Sequence, residues 1–265
     1  MRWREDQRAD PVRLEGAPRF REFGGIATAD GRAVRRGILY RSEALWRLTE
    51  PDLGVLRALA LRTVCDLRGE SERLRSPHRW PDGLAVHFFN LEAAWVDEPH
   101  DERFLRMVRA DFSEAGAKTA LEDYYRRLPA GYGARLPGLF RRLSDPQGVP
   151  AVILCQHGKD RTGFVVALLL SALGVSLDAI RDDYTMTGPV RHPDDAGRTT
   201  QFFAAVLGHE PDPAAIEAVL ASHVDCLNAA LDAISRDFGS VENYLARVGG
   251  LDANRRSRLR ALLLE

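Results

Sequence analysis

The segment 155–163 contains the residue types of this chain that are best suited to chemistry, in the order C-Q-H-G-K-D-R-T-G. A cysteine is followed by five residues and then by an arginine, the spacing C-x5-R, between an apolar stretch at 149–154 and a helical pattern at 163–173. A loop of this length at a helix N-terminus can turn its backbone amides inward and form a cradle for a tetrahedral oxyanion. The spacing therefore predicts an anion site with the cysteine sulfur at its floor.

Cys155 is predicted to be the nucleophile in that cradle. The helix dipole, the inward amides and the guanidinium of Arg161 all favour the thiolate over the thiol. Arg161 also offers a planar fork that matches two phosphate oxygens, and Gly158 permits the tight turn. Thr162 can donate its hydroxyl to the sulfur. The loop residues predicted to contact phosphate are Gln156, His157, Gly158, Lys159 and Thr162.

Two other interpretations of this loop fail on its residue types. A nucleotide-binding loop, G-x-x-x-x-G-K-[ST], would need glycine at Ile153 and a hydroxyl at Asp160. Zinc would need a second pair of ligands beside Cys155 and His157, and the local sequence has none. No metal and no cofactor is therefore expected. A buried core cysteine is the alternative for Cys155, and it is our interpretation of Cys226.

A proton donor for the leaving oxygen, and then a base for water, are also needed. Asp160 lies in the loop within reach of the leaving group, and its alternative role is to cap the following helix. Asp66 ends a predicted strand that would neighbour the strand before Cys155, so it could enter the same cleft. Its alternative role is an ion pair with Arg68 or another arginine. The residues alone leave both aspartates open.

The elements that must position this loop alternate between strand and helix in the first half of the chain. Apolar and β-branched runs predict strands at 37–40, 62–67, 84–89 and 149–154. A capping residue, Thr49, predicts a helix that ends near residue 61. This alternation predicts an α/β fold with a central, mainly parallel sheet flanked by helices.

Helical patterns dominate the remainder of the chain. One covers 102–143 with breaks at 129–131 and at Pro137, and four or five helices are predicted from 176 to 265. The C-terminal half is therefore expected to be largely helical. Residues 1–17, with mixed charge and little periodicity, are expected to form a loose arm, and 18–265 a single domain.

Composition excludes several classes of protein. The 265 residues are 45% hydrophobic and 28% charged, which rules out a disordered, collagenous or coiled-coil chain. The net charge of −1 gives no general attraction to nucleic acid or to an acidic membrane. The longest apolar stretch, 164–173, is about half of what a membrane span needs. Three cysteines and a charged N-terminus without a signal pattern favour a cytoplasmic location.

The loop resembles the signature of cysteine-dependent phosphatases, and C-x-x-G-K-D-R-T-G is similar to that of the bacterial tyrosine/lipid phosphatases. Further motifs with the same resemblance are F-R-E-F-G-G at 20–25, R-G-I-L-Y-R-S at 36–42, V-C-D-L-R at 64–68 and N-Y-L at 243–245. Two residues depart from the family pattern. Leu154 stands where the family usually has histidine, and Glu22 stands where aspartate is common.

The resemblance implies a cysteine-phosphatase-like fold and a phosphomonoester hydrolase that works through a phosphocysteine. Its expected substrates are phosphotyrosine and other phosphoproteins, with phosphoinositides as a further class, and neither nucleic acid nor a membrane span is expected. It favours Asp160 as the acid/base, with Asp66 in support. Lys159, one of only two lysines, is hypothesised to bind a second phosphate. The alternative is a catalytically impaired module that binds a phosphorylated partner.

Overall fold

The computed structural model of the protein describes residues 12–94, 102–188 and 190–265. Its strands are β1 (Arg21–Glu22), β2 (Leu39–Ser42), β3 (Thr63–Asp66), β4 (His87–Asn90) and β5 (Ala151–Leu154). They form one sheet in the order β1-β2-β5-β3-β4, in which only β1 is antiparallel to its neighbour. The predicted α/β fold with a mainly parallel sheet is confirmed.

The helices of the described residues are α1 (Glu50–Leu59), α2 (Glu70–Arg75), α3 (Glu102–Ala110), α4 (Glu114–Tyr132), α5 (Leu136–Leu143), α6 (Asp160–Leu173), α7 (Leu177–Thr185), α8 (Asp195–Leu207), α9 (Pro213–Leu220), α10 (Val224–Phe238), α11 (Val241–Arg247) and α12 (Ala253–Leu263). Within the described ranges, no single helix is long and apolar enough to cross a membrane. Only α9 and α10 taken together pass that test, and they are bent by 55° at their junction.

The central strand β5 explains why its sequence is apolar throughout. Ala151 and Ile153 face the larger hydrophobic core, whereas Val152 and Leu154 face a second core on the opposite side of the sheet. All four side chains are buried because a hydrophobic core covers each face of the sheet, as is usual for parallel strands. Leu154 thus fills a core position at the end of the strand.

Helix α6 follows β5 and lies at the centre of the larger core. Its side chains are buried on nearly every face, as the apolar sequence predicts. It begins at Asp160, three residues before the predicted start at 163, and ends where Gly174 adopts a left-handed conformation. The N-terminus of this buried helix therefore points at the segment that carries the candidate chemistry.

Two predictions about helix boundaries are wrong. Helix α4 continues through Pro129 to Tyr132, and the interruptions lie at 111–113 and at 133–135, just before Pro137. The Ser113 hydroxyl accepts the Gly116 amide and caps the start of α4. Among the described residues from 176 onward there are six helices, α7 to α12, rather than four or five. Short helices of seven to nine residues form there because each has its own N-terminal cap, at Ser176, Asp212 and Ser240.

The predicted loose arm is wrong for its last residues. The Asp52 carboxylate in α1 accepts hydrogen bonds from the amides of Glu15 (2.8 Å) and Gly16 (2.9 Å). Leu14 and Ala17 are buried in the second core. The segment from residue 12 onward therefore belongs to the folded domain, while 1–11 lie outside the described residues.

Candidate active site

The C-x5-R loop (residues 155–161) leaves the carboxyl end of β5 and enters α6. Its cysteine follows directly on a strand with parallel neighbours, β2 and β3, on both sides. Cys155 is only 2% exposed. The loop thus has the strand–loop–helix context that the sequence predicted, with the sulfur at the sheet edge and a helix N-terminus above it.

The backbone of the loop is held from outside through its carbonyl groups. Three successive carbonyls accept hydrogen bonds, Gln156 from the Ala44 amide (3.3 Å), His157 from Nη1 of Arg19 (2.9 Å) and Gly158 from Nη2 of Arg41 (3.2 Å). Within the described residues, the amides of 156–161 have no hydrogen-bond acceptor. Donors left open at a helix N-terminus form an anion-binding cradle.

Gly158 is required for this path of the chain. Its φ is +63°, in the left-handed region that side chains rarely adopt. A Cβ atom there would lie 2.5 Å from the Ser42 carbonyl carbon and 2.5 Å from the Glu43 amide nitrogen. The loop can therefore pack against the end of β2 only with glycine at this position, as the sequence predicted for the tight turn.

Arg161 is oriented by a residue that the sequence analysis missed. Its Nη1 and Nη2 donate to the Glu72 carboxylate at 2.5 and 2.7 Å, and Nη1 also lies 3.4 Å from the Leu67 carbonyl. These contacts use the hydrogens at the end of the guanidinium. Within the described parts of the chain, Nε and the second hydrogen of Nη2 have no acceptor, and this edge can bind two phosphate oxygens. Burial alone would raise the pKa of Glu72, but the charge of Arg161 and its hydrogen bonds lower it to about 2.

Asp160 takes part in a second network at the first turn of α6. Its Oδ1 accepts from Nζ of Lys159 (2.7 Å) and from the hydroxyl of Tyr125 (2.8 Å), which in turn lies 2.7 Å from the Tyr184 hydroxyl. Burial alone would raise the pKa of Asp160, but the Lys159 charge and these hydrogen bonds hold it below its usual value. Asp160 is therefore ionised at neutral pH when no ligand is bound.

Lys159 points into the protein. Its side chain is 5% exposed, and Nζ donates to Asp160 and to the Ala221 carbonyl (3.0 Å) between α9 and α10. Binding of a second phosphate by this amine, as the sequence analysis hypothesised, would exchange the Ala221 contact for a phosphate oxygen.

Asp66 is committed to an internal ion pair. Its carboxylate accepts from Nε and Nη2 of Arg68 (3.0 and 2.8 Å) and lies 2.9 Å from Nε2 of His78, and the aspartate and arginine side chains are both fully buried. Burial would raise the pKa of Asp66, but the bonds from His78 and Arg68 lower it to about 2. These contacts match the alternative stated for Asp66, an ion pair with Arg68, and its supporting catalytic role stays a prediction.

The remaining predicted phosphate contacts differ in their surroundings. The sequence predicted that the Thr162 hydroxyl donates to the Cys155 sulfur, and this prediction is wrong for the structure. The buried hydroxyl oxygen has no partner among the described residues. The buried Oε1 of Gln156 is likewise without one, whereas the side chain of His157 is exposed. Two unpartnered polar atoms therefore lie in the loop and the first turn of α6, where a bound anion and its water would supply partners.

Comparison with known proteins shows the family of the whole chain. The model described as the tyrosine phosphatase family matches residues 12–265. The chain belongs to this family. The triple specificity protein phosphatase PtpB of Mycobacterium tuberculosis is 33% identical over 277 residues, covering 95% of this chain and 98% of that protein. The predicted family and the tyrosine-phosphatase-type hydrolase class are confirmed.

Two further relatives have names that refer to tyrosine phosphatases. A Cupriavidus necator protein named as a putative tyrosine-protein phosphatase is 33% identical over 235 residues, which cover 85% of this chain and 79% of that protein. A tyrosine-protein phosphatase of Nostoc commune is 23% identical over 221 residues, covering 82% of this chain and 71% of that protein. The similarity thus extends well beyond the loop.

This member of the family positions its loop with residues that sequence reasoning did not find, namely Arg19, Arg41, Glu72, Tyr125 and Tyr184. Among these five, Arg41 had a sequence signal, because it lies within the R-G-I-L-Y-R-S motif on a strand. It is 1% exposed and donates to the Asp183 carboxylate at 2.6 Å. A buried charge is retained only where it has partners, so such an arginine indicates a structural network.

Proposed function

We propose that this chain hydrolyses phosphomonoesters through a phosphocysteine formed on Cys155. The observation that carries the proposal is the loop itself: a buried cysteine is followed by amides at 156–161 that have no acceptor among the described residues, and the Nε of Arg161 has none there either. Such a cradle binds the three non-bridging oxygens of a phosphate and leaves phosphorus above the sulfur.

The first step transfers the phosphoryl group to sulfur. The thiolate of Cys155 attacks phosphorus, the bond from phosphorus to the ester oxygen breaks, and the leaving oxygen takes a proton from Asp160. Arg161 binds two equatorial oxygens with Nε and Nη2. A bound phosphate dianion beside Asp160 raises the proton affinity of that carboxyl, which opposes the effect of Lys159 and allows protonation in the complex.

The second step releases phosphate. Water attacks the phosphocysteine, its proton passes to the Asp160 carboxylate, and the bond from phosphorus to sulfur breaks to return the thiolate. Asp160 can accept this proton because it is ionised once the leaving group has taken its own proton. The lowered pKa of Asp160 predicts that kcat/KM declines on the basic side of an acidic optimum.

The proposed substrates are phosphotyrosine and other phosphoproteins, with phosphoinositides as a further class. Support for the wider range comes from the printed name of the Mycobacterium tuberculosis relative, a triple specificity protein phosphatase. Lys159 is the residue proposed to bind a second phosphate. The proposed location is the cytoplasm, where the three cysteines, all free and buried, stay reduced.

Turnover of a small aryl phosphate tests the proposal. We expect hydrolysis that vanadate abolishes and a metal chelator leaves unchanged, and trapping with acid should give phosphate bound to Cys155. Binding of phosphate without turnover would contradict the proposal and favour a phosphate-binding module. A chelator-sensitive reaction would exclude the metal-free mechanism.

A further inference from the structure

The two carboxylate oxygens of Asp160 have different surroundings. Oδ1 accepts both the Lys159 ammonium at 2.7 Å and the Tyr125 hydroxyl at 2.8 Å. Within the described part of the chain, Oδ2 has no hydrogen-bond donor. A carboxylate with both strong donors on one oxygen accepts a proton most readily on the other. The proton that Asp160 transfers is therefore confined to Oδ2.

The direction of the tyrosine pair follows from its chemistry. A hydroxyl has one proton, and Tyr125 gives its proton to Asp160, so the Tyr184 hydroxyl must donate to the Tyr125 oxygen. Burial is the largest cause that raises the pKa of both phenols well above 10, so neither ionises in the working pH range. The chain Tyr184 to Tyr125 to Asp160 is a fixed line of donors rather than a path for proton exchange.

The packing around this line keeps it in place. Tyr125 and Tyr184 are buried and meet edge to face, with ring centroids 6.2 Å apart. A Cβ at Gly163 would lie 2.7 Å from the Tyr184 ring, so glycine lets the first turn of α6 rest on that ring. The helix that carries Asp160 and the tyrosine that orients Tyr125 are thereby in direct contact.

We propose that Tyr125, oriented by Tyr184, is a positioning residue for proton transfer: it fixes the rotation of the Asp160 carboxylate and leaves Oδ2 toward the leaving oxygen. This inference rests on the acid/base role proposed above for Asp160. Lys159 also donates to Oδ1, and its Nζ is held by the Ala221 carbonyl, so Tyr125 acts together with this ammonium on the same oxygen.

Several titratable groups act on Asp160 from the elements packed around it. They are His157 and Lys159 in the loop, Tyr124 and Tyr125 on α4, Tyr184 on α7 and Cys226 on α10. Among them, the groups that hydrogen bond to the carboxylate are Lys159 and Tyr125. A change confined to the Tyr125 hydroxyl therefore tests the positioning effect without altering a charge.

The test compares Tyr125→Phe with the unchanged enzyme across pH and across leaving groups. Because the Tyr125 hydroxyl lowers the pKa of Asp160, its removal should move the basic limb of kcat/KM to higher pH. On alkyl phosphates, the plateau of kcat should fall about tenfold to a hundredfold, the effect of one hydrogen bond to a charged group. On aryl phosphates with good leaving groups, the plateau should change much less.

Two further variants make the result specific. Tyr184→Phe removes the donor that orients Tyr125, so it should move the basic limb of kcat/KM in the same direction by a smaller amount. This variant provides the test if Tyr125→Phe does not fold. Tyr244→Phe is the matched control, since this buried tyrosine of α11 donates one hydrogen bond, 2.7 Å to the Pro129 carbonyl, and does not contact Asp160. It should lower stability comparably and leave both kinetic readouts unchanged.

The outcomes separate this inference from the proposed function. If Asp160→Asn abolishes the basic limb while Tyr125→Phe leaves limb and leaving-group dependence unchanged, the positioning role is wrong and the function stands. If Asp160→Asn itself leaves the limb in place, the acid/base role and the positioning role both fall. Equal effects of Tyr125→Phe and Tyr244→Phe would assign Tyr125 to stability alone.

Discussion

Two loops leave the same edge of the sheet from neighbouring parallel strands, and they differ in whether their polar groups are paired within the protein. After β3, Asp66 and Arg68 neutralise each other in the interior, and the second Nη of Arg68 donates to the Ser76 carbonyl. After β5, the amides of 156–161 and the Thr162 hydroxyl have no partner within the described residues. The polar groups after β3 are paired within the protein, whereas those after β5 are available to a ligand.

The difference shows how a functional loop is distinguished from a structural one beside it. Both contain an aspartate and an arginine at the carboxyl end of a strand, so residue type alone does not separate them. Buried polar groups are normally paired, and a cluster of unpaired ones indicates a ligand position. Variants matched between the two loops therefore test the comparison directly.

The largest effect is expected from Cys155→Ser, with Cys65→Ser in β3 as its counterpart. Cys155→Ser should lose essentially all turnover while it retains phosphate binding, because the cradle does not ionise an alcohol at neutral pH. Cys65→Ser should lose about 1–3 kcal/mol of stability from a buried hydroxyl and keep its rate per folded molecule. Phosphate release and calorimetry measure both. Residual activity in clean Cys155→Ser would exclude it as nucleophile.

The next effect compares Arg161→Lys with Arg68→Lys. Arg161→Lys should reduce kcat/KM by about a hundredfold to a thousandfold, since an ammonium cannot bind two oxygens through a planar edge. Arg68→Lys should instead lose about 3 kcal/mol or more of stability, because Asp66 keeps a poorly paired buried charge. Steady-state kinetics and urea unfolding measure the two. A near-normal rate for Arg161→Lys would contradict its role in phosphate binding.

The aspartates give the third comparison. Asp160→Asn should slow alkyl phosphates by about a hundredfold or more and aryl phosphates with good leaving groups much less, as expected for loss of a general acid. Asp66→Asn should lower the free energy of unfolding and slow all substrates equally. Rates across a series of leaving groups measure both. If Asp66→Asn shows the steeper leaving-group dependence, the two loops have exchanged their assigned roles.

Acid titration tests Glu72, which links the two loops. Its folded-state pKa is about 2 against an ordinary value of 4.5, so its stabilising effect is fully present above pH 4.5 and is lost as the pH falls through about 2. Glu72→Gln should therefore lose about 2–3 kcal/mol at neutral pH and show a flatter decline of stability below pH 4.5. Urea midpoints across pH measure this. An unchanged slope would mean that the carboxylate contributes nothing through its ionisation.

The smallest effect is expected from Lys159→Ala. If Lys159 binds a second phosphate, this variant should lose about 1–2 kcal/mol of kcat/KM on phosphoinositides, the magnitude of one charge-assisted hydrogen bond. Phosphotyrosine peptides should be affected much less. Paired assays on both substrates measure the difference. Equal losses would assign Lys159 to the Asp160 and Ala221 contacts that the structure contains.

The sequence by itself determined the local part of this site. A buried strand, a five-residue loop with glycine at a left-handed position and a helix N-terminus are consequences of neighbouring residues, so C-x5-R predicted the cradle and Cys155 at its floor. The alternation of strands and helices predicted the α/β fold for the same reason. The break predicted at Pro129 is wrong, because proline removes only one backbone donor and the packed helix α4 continues through it.

Only the tertiary structure decided which residues hold the loop and which of two similar aspartates is internal. Glu72 reaches Arg161 across 89 positions of sequence, and Tyr125 reaches Asp160 across 35. An acidic residue in a charged helix, or a tyrosine in an amphipathic one, has no local pattern that distinguishes it from its neighbours. Pairing of buried charges depends on three-dimensional proximity and on the loss of solvent, and neither is present in the order of the residues.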